Sequence, residues 1–390
     1  MEQVRMGIIG IGSMGTVHAV SIMKGNIKGM VLTAVADINP ARLEWAEKEF
    51  GDSVARFDSA SALIKSGLVD AVHIAVPHYD HPRLAIEAIE NNLHVMCEKP
   101  AGVYTKEVRR MNEVAAKSDR VFAMMFNQRT NHVYRKMKEI IASGEMGAIK
   151  RTNWLITDWY RTQAYYDSGS WRATWAGEGG GVLLNQCPHN LDLWQWICGM
   201  PSRVRAFCHV GKWHNIEVED DVTAYVEYPN GATGVFITTT ADCPGDNRFE
   251  VMCERGKLVC EGSKLTVYKL EQSEREYCFE AKTGFSLPKC DVYEPETDGK
   301  NTQHNGVLQA FTDRILYGKP LVAEGCEGIH SLTLSNAMFL SSWQDRTVEI
   351  PFDEDLFLEE LNKRRASSRL KEDVQSVVAD LSGTYGSKAN

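Results

Sequence analysis

The 390-residue chain has no apolar run approaching the ~20 residues that a membrane-spanning helix requires. It has no basic excess either: 43 lysines and arginines stand against 52 aspartates and glutamates, a formal net charge of -9. That balance argues against the concentrated basic face by which proteins hold nucleic acid or an anionic membrane, so neither is expected as a partner. Ten cysteines spread from Cys97 to Cys326 include no C-x-x-C pair, and the chain is far longer than a disulfide-stapled scaffold. Reduced, mostly buried thiols are the expectation. No internal repeat and no low-complexity segment is present. Met1 to Arg5 run straight into an apolar strand without a hydrophobic leader, which points to a cytoplasmic protein. What remains is an ordinary folded composition, 43% hydrophobic and 24% charged, at a length that suggests two domains.

The pattern along the chain changes once. From Val4 to Phe126, short strands that are apolar throughout alternate with helical stretches: 4–10, 30–36, 54–57, 71–76, 94–97 and 121–126. Such strands are buried on both faces, so this part predicts a six-stranded parallel sheet covered by helices, a Rossmann-type domain over 1–127. After Arg129, a helix at about 132–143 leads into strands of alternating character, for example 224–228 and 235–240 around Pro229-Asn230-Gly231. Alternation predicts an open, mostly antiparallel sheet with one face toward a core, an α+β domain over 128–352. Residues 271–303 read as a polar loop or hairpin, followed by helices at about 305–317 and 327–342. The tail, 353–390, reads as two helices, with Leu370, Val374, Val377 and Leu381 at heptad-like spacing.

Three groups of residues carry chemistry. The turn Gly10-Ile11-Gly12-Ser13-Met14-Gly15 follows the first strand and opens a helix. Gly10 permits a tight turn, Gly12 lets backbone approach a pyrophosphate, and Gly15 lets helix and strand pack closely. Asp37, at the end of the second strand, is placed to accept hydrogen bonds from ribose hydroxyls. A carboxylate there repels a 2′-phosphate, which favours NAD over NADP; Arg42 nearby joins the cofactor set and tempers that preference. The alternative is a glycine-rich turn without a ligand. Second, Glu98-Lys99-Pro100 ends the fifth strand, at the carboxyl edge where open α/β sheets bind ligands. Lys99 there can stabilise an alkoxide as hydride leaves carbon, or it is simply a solvated lysine before a proline turn. Third, Glu178 and three glycines precede Asn185 and His189, read as one helical face four residues apart. His189 suits general-base work near neutral pH, although a lone helical histidine is more often structural.

Seven of the nine tryptophans lie between Trp154 and Trp213. Aromatic faces stack on the apolar C–H face of sugar rings, and Arg161, Tyr165, Trp171 and Arg172 are the expected substrate-lining set. Asn127 and Arg129, at the end of the sixth strand, also point to the crevice. His78 with His81, or His209 with His214, lack the further ligands of a metal site, so no metal is expected. His18 is read as packing at the first helix.

The order Gly-x-Gly-x-Met-Gly, Asp37, Ala75-Val76-Pro77-x-x-x-His81, Glu-Lys-Pro and Gly-Gly-Gly…Asn-x-x-x-His resembles the Gfo/Idh/MocA family, which includes glucose–fructose oxidoreductase and inositol dehydrogenase. The resemblance runs from about residue 4 to 350. It implies a Rossmann domain, an open-sheet domain that assembles dimers or tetramers, and NAD-dependent oxidation of a sugar or cyclitol hydroxyl. It also implies that Lys99 and His189 are catalytic, and adds Pro77, His81 and Glu98 to the cofactor side. Many members carry aspartate where this chain has Asn185. An amide cannot take up a proton, so Asn185 is left to position substrate. Branches resembling UDP-sugar 3-dehydrogenases and glycoside 3-oxidases also tolerate a non-acidic residue there, which points toward a sugar-ring hydroxyl. The alternatives are a glycosidase or lyase that oxidises transiently with tightly held NAD, and a non-enzymatic NAD sensor.

Overall fold

The structure, a computed structural model, describes residues 2–371 and residue 374. The first sheet holds β1 (Val4–Ile9), β2 (Met30–Ala36), β3 (Ala55–Phe57), β4 (Ala71–Ile74), β5 (His94–Cys97) and β6 (Phe122–Met124). All pair in parallel, in the order β3-β2-β1-β4-β5-β6. β4 and β5 are buried at every position, as strands covered on both faces must be. The covering helices are α1 (Ser13–Met23), α2 (Pro40–Phe50), α3 (Ala60–Ile64), α4 (Asp80–Glu90) and α5 (Thr105–Ala115). Local signals start them: the Asn39 side chain accepts from Ala41 N–H with proline opening α2, and Ser59 caps α3. The strand order reverses between β1 and β4, which opens a crevice beyond their carboxyl ends.

A short 3₁₀ turn (Asn127–Thr130) and α6 (His132–Ala142) lead to a nine-stranded sheet. Its strands are β7 (Ile149–Ile156), β8 (Arg203–Val210), β9 (Glu219–Glu227), β10 (Thr233–Thr239), β11 (Asn247–Cys253), β12 (Gly256–Glu261), β13 (Lys264–Leu270), β14 (Cys290–Tyr293) and β15 (Val348–Glu349). The order is β14-β13-β12-β11-β7-β10-β9-β8-β15, antiparallel except for the β7–β10 pair. Between β7 and β8 lie α7 (Gln163–Tyr166) and α8 (Pro188–Cys198), and α8 packs its Trp194 on Phe236 of β10 at 5.4 Å between ring centroids. The polar stretch after β13 holds a short helix, α9 (Glu274–Glu280), before β14 returns antiparallel to β13.

Two segments pack differently from a division made along the sequence. α10 (Gln303–Tyr317) turns back to the first sheet, where Val307, Leu308 and Phe311 share a core with side chains of β1 and β2. Its sequence position after the second sheet concealed this. α11 (Gly328–Trp343) packs on β8 and α8. α12 (Glu354–Ser367), the first of the two expected tail helices, is capped by Asp353 and stacks Phe357 on Trp343 at 5.3 Å. Its Glu354 pairs with Arg109 of α5, tying tail to first domain. The second expected tail helix lies outside the described residues; of the heptad-like set, Leu370 and Val374 lie within them. Among the described residues no helix is long and apolar enough to cross a membrane.

Candidate functional site

The glycine turn has the shape its sequence requires. Gly10 has φ +86°, and a Cβ there would lie 2.6 Å from the Ala75 carbonyl oxygen. A Cβ on Gly15 would lie 1.9 Å from the Gly10 oxygen, so only glycine lets α1 approach β1 this closely. A Cβ on Gly12, at the N-cap of α1, would meet nothing within 4 Å, because that backbone faces the open crevice. The first-turn N–H groups there have no side-chain cap, leaving donors for an anion. Asp37 accepts from Ile11 N–H at 2.9 Å and Asn39 N–H at 2.8 Å, which holds its carboxylate against the turn. These residues fit a dinucleotide, with pyrophosphate at the glycines and ribose at Asp37.

Two expected cofactor contacts sit elsewhere. Gly15 does not line the crevice; it serves helix–strand packing. Arg42 does not line it either. Its guanidinium donates to the Ile11 carbonyl at 2.7 Å and to Thr16 Oγ1 at 2.5 Å and lies 5.0 Å from the Trp45 ring centroid, so it braces the turn from behind.

Beyond β5 the Glu-Lys-Pro side chains diverge. Lys99 Nζ donates to the Asn185 carbonyl at 2.8 Å. Burial lowers the Lys99 pKa, opposed by Glu98 and Glu178 and reinforced by Arg172 and Arg161. Glu98 borders the cleft, but its carboxylate turns inward and accepts from His18 Nε2 at 2.8 Å, with His73 Nε2 at 3.5 Å. Burial pushes Glu98 up, yet these imidazoles hold it well below the usual carboxylate range. Among the described residues, His18, His73 and Glu98 form the one group of three close enough to hold a metal ion. It is a trio that sequence spacing did not reveal, since the residues lie on α1, β4 and after β5. His81 sits between the Pro100 and Val76 carbonyl oxygens, 2.7 Å from each, and so clamps the turn after β5 to the end of β4.

The triple-glycine run threads against the start of β9. A Cβ on Gly181 would lie 2.0 Å from the Glu219 carbonyl oxygen, and the Glu219 carboxylate accepts from Gly181 and Leu183 N–H. Here the structure corrects the sequence reading: α8 begins only at Pro188, so Asn185 is not on the helix with His189. It lies in the turn before it, with its N–H bonded to the Gly181 carbonyl at 2.9 Å. The Asn185 amide donates to buried Glu178, and its Oδ1 accepts from the Tyr165 hydroxyl at 3.3 Å. That hydroxyl in turn accepts from Arg172 at 3.0 Å and Gln186 at 3.3 Å. Arg172 lies 4.8 Å from the Tyr165 ring centroid and 4.6 Å from that of Trp171, while Arg161 lies over Trp159 and Tyr165. His189 is buried in the first turn of α8. Burial first, then the nearby Lys99 cation, pushes its pKa well down, so the ring is neutral at physiological pH.

Arg129 is a second correction. It is 3% exposed and does not reach the crevice: its guanidinium grips Asp192 at 2.7 and 2.8 Å and Glu327 at 2.5 Å. Asn127 does line the crevice, donating to Gln303 at 2.5 Å. The sequence reading gave no role to Glu178, Gln186, Trp159 or His304. Glu178 had a signal, an acid directly before the glycines. His304 had none, because α10 brings it from 205 residues beyond Lys99.

One cleft of about 570 Å³ joins these parts, bordered at one end by Gly10, Gly12 and Asp37 and at the other by Lys99, Asn185 and His189. Residues 4–126 match the family described as "Oxidoreductase family, NAD-binding Rossmann fold", and residues 134–259 match the "GFO/IDH/MocA C-terminal domain". The chain therefore belongs to the GFO/IDH/MocA oxidoreductases and binds NAD through its first domain. It is 26% identical to myo-inositol 2-dehydrogenase of Thermotoga maritima over 359 residues, 89% of this chain and 98% of that one. It is 27% identical to D-glucoside 3-dehydrogenase of Escherichia coli, over 58% of this chain and 67% of that enzyme. The structure of the WlbA dehydrogenase of Bordetella pertussis, in complex with NADH and UDP-GlcNAcA, superposes with a TM-score of 0.76 at 25% identity. That match covers 90% of this chain and 99% of the other.

Proposed function

We propose that this protein oxidises a ring hydroxyl of a carbohydrate, a sugar, glycoside or cyclitol, with Lys99 and His189 handling the hydroxyl proton. The observation that carries this reading is the single cleft bordered by both the glycine turn and the Lys99–His189 pair. Bound NAD supplies a hydride acceptor at nicotinamide C4. A neutral imidazole at His189 accepts the hydroxyl proton, and the Lys99 ammonium, held toward the site by the Asn185 carbonyl, stabilises the developing alkoxide. Burial lowers the Lys99 pKa from its ordinary value, which makes the ammonium a readier proton donor. Tyr165, Trp171 and the two arginines offer ring faces and donors to the remaining hydroxyls. Relatives named as dehydrogenases of inositol and of glucosides support this substrate class. We further propose NAD in preference to NADP, on the Asp37 carboxylate, and self-association through the outer face of the second sheet, where Phe207 and Tyr225 are exposed.

The test follows NADH absorbance and product release with NAD and a panel of free sugars, glycosides, nucleotide sugars and inositols. Stoichiometric NADH supports the dehydrogenase. Aglycone release without net NADH replaces it with cleavage through transient oxidation, and full activity in Lys99→Ala overturns the site.

A further inference from the structure

Beside the main cleft lies a second, more open depression of about 400 Å³, and Arg161 lines both. Its floor and rim include Tyr160 and Trp213, which are 47% and 59% exposed. The loop joining β8 to β9 is organised around the fully buried Asp220, whose carboxylate accepts N–H groups from Lys212 at 3.0 Å and from Trp213 and His214 at 2.9 Å. The His214 ring bridges Asp220, at 2.9 Å, and the Arg161 carbonyl, at 3.0 Å. Gln163 and Asn215 exchange two further hydrogen bonds between the loop and the 160–163 segment. The indole N–H donates to Asp221 at 3.2 Å, and Lys212 lies 5.1 Å from the ring centroid. The ring is therefore presented to solvent in a set orientation, on a loop hydrogen-bonded to the segment that carries Arg161 into the main cleft. Solvent-facing indole held rigidly incurs little ordering cost when a flat apolar surface stacks on it.

We propose that Trp213, with Tyr160, forms a subsite for a second ring joined through a glycosidic bond to the ring oxidised at Lys99 and His189. The substrate is then a glycoside of two rings rather than a free monosaccharide or a lone cyclitol. The inference rests on the carbohydrate reading above and sharpens it. The shared chemistry is a ring with one flat C–H or π face and an edge able to meet Arg161. A second sugar and an aromatic aglycone both supply it.

The test measures binding to the NADH-loaded protein by calorimetry with methyl β-glucoside, a β-linked glucose disaccharide and a nitrophenyl β-glucoside. The wild-type protein is expected to bind the two-ring ligands about tenfold more tightly than methyl glucoside, the scale of one stacked ring. Trp213→Ala is expected to erase that difference and leave methyl glucoside binding unchanged, whereas Trp213→Phe retains most of it. Preference for the disaccharide or for the nitrophenyl compound identifies the second ring. Equal affinity for one- and two-ring ligands, or a Trp213→Ala loss shared by all three, overturns the subsite. Hydride transfer is read separately on the same ligands. Two-ring preference with no NADH formation from these ligands or from the wider panel overturns the dehydrogenase reading and leaves the subsite standing; NADH formation without that preference does the reverse.

Discussion

The Asn185 side chain donates its amide N–H to Glu178, a carboxylate only 1% exposed. The position where the family resemblance implies an acid thus holds an amide with an acid directly behind it. Burial raises the Glu178 pKa, while Arg172, the Ala173 N–H, Asn185 and Lys99 act the other way. Glu178 orients Asn185 so that its oxygen takes the Tyr165 hydroxyl and its backbone carbonyl takes Lys99.

Glu178→Gln turns one acceptor oxygen into a donor, which then faces either Asn185 or the Ala173 N–H. Loss of one such charge-assisted bond corresponds to about a tenfold fall in kcat/KM. NADH affinity, measured by fluorescence titration, is expected to stay unchanged because Glu178 lies at the substrate end. Equal losses in NADH affinity and turnover would show instead that the pair only supports the fold.

Lys99→Ala is expected to lower kcat by about 10²–10⁴, the usual range for a positioned proton-transfer group, with NADH binding retained. Arg172 lowers the Lys99 pKa by charge. Arg172→Gln removes that repulsion, favours the protonated amine and moves the Lys99 limb of the pH–rate profile to higher pH. A limb that stays put in Arg172→Gln would assign it to another group.

Arg129 and Arg161 separate fold from function. Arg129→Ala leaves the Asp192 carboxylate buried and unpaired, at a cost of about 3–5 kcal/mol, and is expected to lower Tm sharply. Arg161→Ala removes a half-exposed side chain at the cleft and is expected to raise KM while Tm changes little. Thermal unfolding alongside steady-state kinetics on the same two variants decides the assignment.

Stability at acid pH has an identifiable contributor. His94 Nδ1 accepts the Val121 N–H at 2.8 Å, and burial lowers the ring from its ordinary 6.5 to about 4. Between those values the unfolded chain takes up a proton that the folded one does not. The contribution is complete above pH 6.5 and is lost as pH falls toward 4. In His94→Gln the Tm decline across that window is expected to be shallower than in wild type.

Much of the nucleotide half was written in local sequence. Gly10, Gly12 and Gly15 sit where backbone must turn or approach, which is a constraint on single residues, and the all-apolar strands announced a sheet covered on both sides. Lys99 and His189, both of which border the cleft, were singled out by their places next to a strand end and a glycine run, and the catalytic roles expected of them came from the family resemblance. Asn185 was misplaced because helical spacing was extended upstream of Pro188, which opens α8. Arg129 was misjudged because a charged residue at a strand end looks the same in sequence whether it faces a cleft or a buried aspartate 63 positions away.

By itself the sequence determined two sheets and a dinucleotide turn, since each depends on periodicity or on the stereochemistry of a few neighbouring residues. Tertiary structure alone decided which charges pair, that α10 returns to the first sheet with His304, and that Glu178 stands behind Asn185. It also decided that Trp213 remains open beside the cleft. Those outcomes depend on which surfaces meet when the chain packs. Burial and long-range hydrogen bonding act between residues up to 200 or more positions apart, and local pattern carries no record of such meetings.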